Sequence, residues 1–599
     1  MKTWLTIAAV LLVTASAMAQ GEKVLFSSPG GFYEDSFELS LDCFYANHHI
    51  RYTTNGGTPN ATSPLYDGPL TLDGTLYSTS DIYTIVNCIP SVYHAVDSVR
   101  HAIVIRAAVF DNNDSCVSAV ATNSYFIQSL GCVTHGLPVV SIAADSLALF
   151  DYETGIFVPG IHYDPGDSTH TGNFQMTGRE WERPINFEFY ETDNRGVNQP
   201  CGLRTHGGAS RWYQQKGMRL HAREEYGHKR FKHQFFDSTP INSFKRLNLH
   251  PFRCSNWLQT GGQEHLAQTV AAQLDIDALA VRQTVVFING EYWGIYTLEE
   301  SPDERYLEDH YDIDLDHVSI LKYWGVPQYG DPTDWRTFYN WLNDADLSQP
   351  EDSAYAYQRI DVHSFVDYML FETYSANLDW PQNNVLHWNA EPGMPFRWIY
   401  FDGDGCFTRP RYESINNAMN QGGNSAVFNH FLENQGFKDL FYQRYVELLG
   451  TLFRPKQLQS VMDGYAALVE GEIDNQSERF GFPVNKARWE TDLGKANEFF
   501  LTRNDFFKEE ILAYISINEP NIATFTCFPN PSSGTFHIRV HSDADSILPI
   551  ELFDVMGRRV LYKEIYLRKG TNNATIETNF SNGLYIIRMG HLTSKLFIK

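Results

Sequence analysis

Three side chains set the chemical question. Asp379 and Asn384 stand five residues apart in Ser375-Ala-Asn-Leu-Asp-Trp-Pro-Gln-Asn-Asn384, and Asp402 opens the run Asp402-Gly-Asp-Gly405. A carboxylate can accept a hydrogen bond from an incoming hydroxyl. An amide oxygen and a second carboxylate suit a hard divalent cation such as Mg2+. These are the parts of phosphoryl transfer, where positioning and charge neutralisation supply most of the catalysis. Asp404 is a candidate second metal ligand. Loop Asp and Asn also form turns and caps, so the elements around them decide whether they meet.

Those elements are readable. Val362, Phe365, Val366, Met369, Leu370 and Thr373 recur at helical spacing and predict one buried helical face. Pro381 then argues for a loop. Val385–Asn389 and Phe396–Phe401 predict two strands around an Ala-Glu-Pro-Gly turn. A hairpin centred near Gly393 would set Asn384 opposite Asp402, within about 5.5 Å between Cα atoms. Asp-x-x-x-x-Asn, a hairpin, then Asp-Gly is the order of the catalytic loop and metal-binding aspartate in protein kinases. Asp402, Asp404 and Glu413 also fall at positions 1, 3 and 12 of a calcium loop, but Phe407 stands where that loop needs glycine.

The surrounding blocks are Leu137-Pro-Val-Val-Ser-Ile142, Gly207-Gly-Ala-Ser-Arg-Trp-Tyr-Gln-Gln-Lys216, Asn289-Gly-Glu-Tyr-Trp-Gly-Ile-Tyr-Thr-Leu-Glu-Glu300, Asn377-Leu-Asp379 and Tyr400-Phe-Asp-Gly-Asp404. In this order they resemble the CotH (spore-coat protein H) kinase family, over residues 137–515. The resemblance implies a central α+β, atypical protein-kinase-like domain that moves phosphate from ATP to a serine of an exported protein acceptor, with Mg2+ or Mn2+. It implies Asp379 as the catalytic aspartate, Asn384 and Asp402 as metal ligands, and Lys216, beside Arg211 of the Ser-Arg block, as nucleotide-binding. Glu299 or Glu300 falls in the family's Tyr-x-Leu-x-Glu strand. Glu264, opening a helix expected over His265–Leu274, is a candidate partner for Lys216. The sequence lacks a G-x-G-x-x-G loop and the V-A-I-K and A-P-E segments of conventional kinases. Gly207-Gly208 is either a partial substitute for the missing loop or a hairpin turn.

The flanks differ in character. Residues 20–130 alternate apolar and polar in short runs, as in Ile50-Arg-Tyr-Thr-Thr54 and Ile103-Val-Ile-Arg-Ala-Ala-Val109, which predicts a β-sandwich. With Asn55-Gly-Gly-Thr-Pro59 and Tyr66-Asp-Gly-Pro-Leu70, this region resembles the fibronectin-III-like domain at the C-terminus of chitobiases and hexosaminidases, which implies a spacer more readily than a sugar-binding module. Residues 520–599 run through Cys527-Phe-Pro-Asn-Pro-Ser-Ser-Gly, Glu551-Leu-Phe-Asp-Val-Met-Gly-Arg-Arg and Asn582-Gly-Leu-Tyr-Ile-Ile-Arg588. They resemble a type A C-terminal sorting domain of the type IX secretion system. That implies a β-sandwich address read by the secretion machinery of a Gram-negative bacterium, and a secreted or outer-membrane-surface location.

Composition narrows the classes. Residues 1–19 read as a signal peptide, with Lys2, an apolar stretch from Trp4 to Val13, and Ala17-Met-Ala19. The formal charge of −26 over 599 residues disfavours a nucleic-acid partner. No later stretch approaches the ~20 apolar residues of a transmembrane helix. Eight cysteines without a C-x-x-C pair give no zinc ribbon and no readable disulfide connectivity. Without H-E-x-x-H, zinc hydrolysis has no support. The competing expectation is a non-catalytic surface protein, glycan-associated through the first β-domain. Oligomeric state is open.

Overall fold

The computed structural model describes residues 23–44, 47–78, 81–253, 257–515, 522–542, 546–555, 558–589 and 592–599. The expected signal peptide and Cys254 lie outside them.

Three bodies follow one another. In the first, Gly31–Tyr33, Ala121–Ile127, Ile103–Phe110 and His49–Thr53 form a four-stranded sheet in that order, over a core containing Leu39, Leu72, Ile105, Val109 and Tyr125. In the last, one three-stranded and one four-stranded sheet enclose Ile538, Ile550, Ile587 and Leu596.

The central body opens with a closed seven-stranded barrel. Its strands are β1 (Val139–Ala143), β2 (Arg183–Tyr190), β3 (Gly196–Thr205), β4 (Met218–His221), β5 (Arg246–Pro251), β7 (Val281–Ile288) and β8 (Glu291–Glu299), in the order β2-β3-β4-β5-β8-β7-β1. Period-two alternation sorts the side chains. Leu220, Leu247, Leu249, Tyr296 and Leu298 fill the barrel, which leaves Arg219, Asn248, His250 and Glu299 on its outer face. Arg219 is registered against Asn248, and Asn248 against Glu299, so a polar row crosses three strands.

The second sheet runs β6-β12-β11-β9-β10, with β6 Asp277–Ala278, β9 Ser319–Lys322, β10 Val326–Tyr329, β11 Leu386–Asn389 and β12 Arg397–Tyr400. It packs on helix α2 (Val362–Tyr374), which packs in turn on α3 (Gln435–Gly450) and is met by Arg503 of α4 (Lys486–Tyr514); α1 (Gln263–Ala271) lies between barrel and sheet. The helix expected from Val362 to Thr373 is present as α2, and Asp361 caps it at Ser364 N–H. Burial, however, wraps both faces from Ser364 to Tyr374. The polar face is enclosed because Asp367 pairs with Arg444 of α3 at 2.6 Å. Arg503 of α4 donates to the carbonyls of Thr373 and Tyr374 at the end of α2, at 2.7 and 2.9 Å.

The expected hairpin register needs correction. The hairpin pairs His387 with Trp398 and Trp388 with Arg397, one residue out of the expected register. The cause lies at Phe396: its N–H donates to the Arg359 carbonyl and its carbonyl accepts from Asp361 N–H, which draws it out of the hairpin. Asn384 and Asp402 therefore lie beyond the paired strands, not opposed within them. The first β-body docks on the barrel. Phe126 stacks edge-on against Phe287 of β7 at 5.1 Å, and Glu291 of β8 accepts the main-chain N–H groups of Ile82 and Tyr83, both at 2.8 Å.

Candidate active site

A cleft of about 780 Å3 separates the barrel from the helical half. His206, Gly207, Gly208, Arg211, Asn248, His250 and Glu299 line it from the barrel, and Asp379, Asn384, Asp402 and Asp404 line it from the other side. Lys322 of β9 also reaches the wall.

The acidic side is built from two loops tied together. Leu378 N–H donates to the Gly405 carbonyl at 3.4 Å, and Phe407 N–H to the Ser375 carbonyl at 2.8 Å. Within the first loop Asn377 Oδ1 accepts from Asp379 N–H at 3.2 Å, while its amide donates to the buried Glu372 at 2.9 Å. Both Asp379 oxygens are held: Asn383 donates to Oδ1 at 2.8 Å and Asn384 to Oδ2 at 3.4 Å. Asn384 and Asp402 both have left-handed backbones, with φ of 57° and 64°, a conformation that Asn and Asp tolerate best after glycine.

The glycines that follow Asp402 are required by close approach. A Cβ at Gly403 would lie 2.6 Å from Ala267 Cβ on α1, and one at Gly405 would lie 2.7 Å from Asn377 Oδ1. The space at Gly403 lets its N–H donate to Glu264 on α1. Glu264 thus joins the Asp402 loop, and the expected Glu264–Lys216 pair is not formed.

Lys216 stands elsewhere. It is wholly buried, its ammonium donates to the carbonyls of Arg211 and Tyr213 at 2.8 and 2.9 Å, and it lies 4.5 Å over the Phe174 ring. The structure does not bring it to the cleft wall. The cations there are Arg211 and Lys322; Arg219 stands behind, donating to Asn248 at 2.8 Å and meeting His206 at 3.1 Å. Of the two glutamates at the end of β8, Glu299 faces the cleft, whereas Glu300 pairs with His310 at 2.9 Å.

His250 is a residue that the sequence reading missed. Its Nε2 lies 3.1 and 3.2 Å from the two Asp404 oxygens, and its Nδ1 lies 3.8 Å from Glu299. The signal was present: in Arg246-Leu-Asn-Leu-His-Pro251 apolar and polar residues alternate, which places Asn248 and His250 on one face.

The electrostatics call for positive charge. Burial, then the neighbouring Asp404, raises the Asp402 carboxyl above the ordinary range; Glu264 and Asp379 add to this and His250 opposes it. Burial pushes Glu299 up to about 8, and its Oε2 is enclosed without a hydrogen-bond partner. Among the described residues no three His, Cys, Asp or Glu side chains already form a metal cage. The oxygen donors nevertheless fit Mg2+ or Mn2+, because Mg2+ is commonly held by one or two carboxylates together with substrate phosphates.

Three family models match the chain in succession. The CotH kinase protein family model matches residues 203–507, more than half of the chain. The protein belongs to the CotH kinase family. Before that domain, residues 28–85 match the chitobiase/beta-hexosaminidase C-terminal domain, and after it residues 526–599 match a secretion system C-terminal sorting domain. The sorting domain marks a secreted or cell-surface protein, and no helix among the described residues is long and apolar enough to cross a membrane. No curated protein matches the chain. Among solved structures, dimeric latent PorU from Porphyromonas gingivalis matches at 17% identity and a TM-score of 0.13. It covers 14% of this chain, which spans only 10% of that structure's length.

Proposed function

We propose that the protein transfers phosphate from a nucleoside triphosphate to a protein hydroxyl, after export through the type IX secretion machinery. The observation that carries this reading is the shared cleft: Asp379, Asn384 and Asp402 line the side facing Arg211 and the Gly207-Gly208 turn.

Asp379 would accept the hydrogen bond of the acceptor hydroxyl and take its proton as the oxygen attacks the γ-phosphorus, whose bond to the β–γ bridging oxygen breaks to release the nucleoside diphosphate. The Asn383 and Asn384 amides fix the carboxylate for that task. Asp402, with Asn384 and Asp404 beside it, would hold the divalent cation, which when bound neutralises charge on the phosphates. Glu264 keeps the Asp402 loop in place through Gly403. Arg211 supplies the barrel-side cation; its Nε has no partner, while one terminal nitrogen donates to the Gln175 carbonyl at 3.1 Å. Acceptor choice (serine by family resemblance) and the use of ATP belong to this proposal.

One observation favours a second reading, a non-catalytic kinase-like surface module: Lys216, the lysine expected at the nucleotide, is sealed inside the fold and not on the cleft wall. Incubation with labelled triphosphate and Mg2+ or Mn2+ decides between the two. Transfer by the wild type and loss in Asp379→Asn support the first reading. Absence of both transfer and MgATP binding supports the second.

A further inference from the structure

Beside the cleft lies a smaller niche of about 30 Å3, and Tyr323 lines both. It is walled by aromatic rings, among them Trp335, Trp380 and Trp398. Trp380 directly follows Asp379, so the niche adjoins the proposed acceptor position. At its rim Trp324 is 55% exposed.

Two polar groups in this apolar wall lack partners. His387 of β11 is 1% exposed, lies 3.9 Å from the Trp335 ring, and has no hydrogen bond at either ring nitrogen. Burial lowers its pKa to about 3, so the ring is neutral, with one donor and one acceptor. Asn424 donates to the Pro381 carbonyl at 2.6 Å, which leaves its enclosed Oδ1 as a bare acceptor. Unmet polar groups in an apolar setting are costly, and a hydroxyl, which both donates and accepts, satisfies such a set. A volume of 30 Å3 is room for about two water-sized groups. A methyl and a hydroxyl on one carbon fit that size and chemistry.

We propose that this niche is a subsite for a threonine side chain next to the phosphorylated residue of the acceptor polypeptide. The methyl packs among the rings, and the hydroxyl supplies the hydrogen bonds that His387 and Asn424 lack. This inference rests on the phosphotransfer reading for its setting, but the niche can be tested without it.

The test uses the full chain and serine-acceptor peptides carrying Thr, Val or Ala at each flanking position. At one position the Thr peptide is expected to be phosphorylated about ten-fold better than its Val isostere, the scale of one net neutral hydrogen bond. His387→Phe, which fills the niche, is expected to abolish the preference while the Ala peptide keeps its rate; His387→Leu, which removes the ring nitrogens without adding bulk, serves if the Phe variant does not fold. Equal rates on Thr and Val peptides at every position would overturn the proposal. Should no peptide be phosphorylated and no MgATP bind, the parent reading fails alone. The niche is then judged by tryptophan fluorescence, where a response to the Thr peptide that is absent in His387→Phe supports it. The same response to Thr and Val peptides, or none with ordered water filling the niche, overturns it.

Discussion

The Lys216 ammonium donates to the Tyr213 carbonyl at 2.9 Å and is sealed from solvent. This places a lysine expected at the nucleotide inside the support of the cleft's Arg211 turn. Burial lowers its pKa from 10.5 to about 7, so the unfolded chain binds the proton more tightly. The contribution of this group to stability is therefore full above pH 10.5 and is lost as pH falls to about 7. Lys216→Met is expected to remove that rise in stability from pH 7 to 10.5 relative to the wild type. Urea denaturation of both proteins at several pH values checks this; parallel curves would return Lys216 to an exposed role.

Asp379 and Asp402 line one cleft but are expected to fail differently. MgATP at about 100 times its dissociation constant should stabilise the wild type by ~2.7 kcal/mol. Asp402→Asn is expected to lose that stabilisation, because it removes a metal-side charge. Asp379→Asn should keep it and lose transfer by about 100-fold or more, the usual scale for a positioned proton acceptor. Thermal shift and label transfer on the same preparations separate the two roles, and chelation of the divalent ion should abolish transfer in every variant.

Much of this was legible in the sequence. The span of α2 follows from apolar recurrence between Val362 and Thr373 and from Asp361 ahead of it. The acidic loops follow from Pro381 and the Asp-Gly-Asp-Gly run. The register of the next hairpin was not legible, because Phe396 is claimed by Arg359 and Asp361, contacts that no local pattern encodes. The place of Lys216 was hidden for a similar reason: it lies two residues before β4 begins, where alternation does not yet assign a face. Alternation in β5 does reveal that Asn248 and His250 share a face, but only the closed barrel shows that this face meets Asp404.

Gly403 offers a test of how the Asp402 loop is held. A Cβ there would approach Tyr400 Oη to 2.3 Å and Ala267 Cβ to 2.6 Å, and neither the buried ring nor α1 has room to yield. Gly403→Ala is expected to cost about 1–3 kcal/mol, the usual price of overpacking. It should also weaken MgATP binding, since it parts the Gly403 N–H from Glu264. Ala267→Gly in the same chain should recover part of the stability. Unchanged stability in Gly403→Ala would show that α1 does not clamp the loop.

The first β-body is tied to the central body through Glu472, and this tie predicts that the two unfold together. Glu472 has no exposed surface and accepts from Arg100 at 2.5 and 3.3 Å; His135 contacts it at 2.8 Å. Arg100 also covers the Tyr292 ring of β8 at 4.5 Å. Arg100→Ala removes the main counter-charge and leaves a buried carboxylate with a half-exposed histidine. A loss of about 3 kcal/mol is expected, the scale for breaking a buried pair on one side. Arg100→Met with Glu472→Gln should restore most of it, because no charge is then stranded. If the bodies are one cooperative unit, hydrogen exchange in the barrel strand Glu291–Glu299 should accelerate together with that in Ile103–Phe110 in Arg100→Ala. Acceleration confined to Ile103–Phe110 would show a separable module, and the docking described here would then contribute little to holding the cleft.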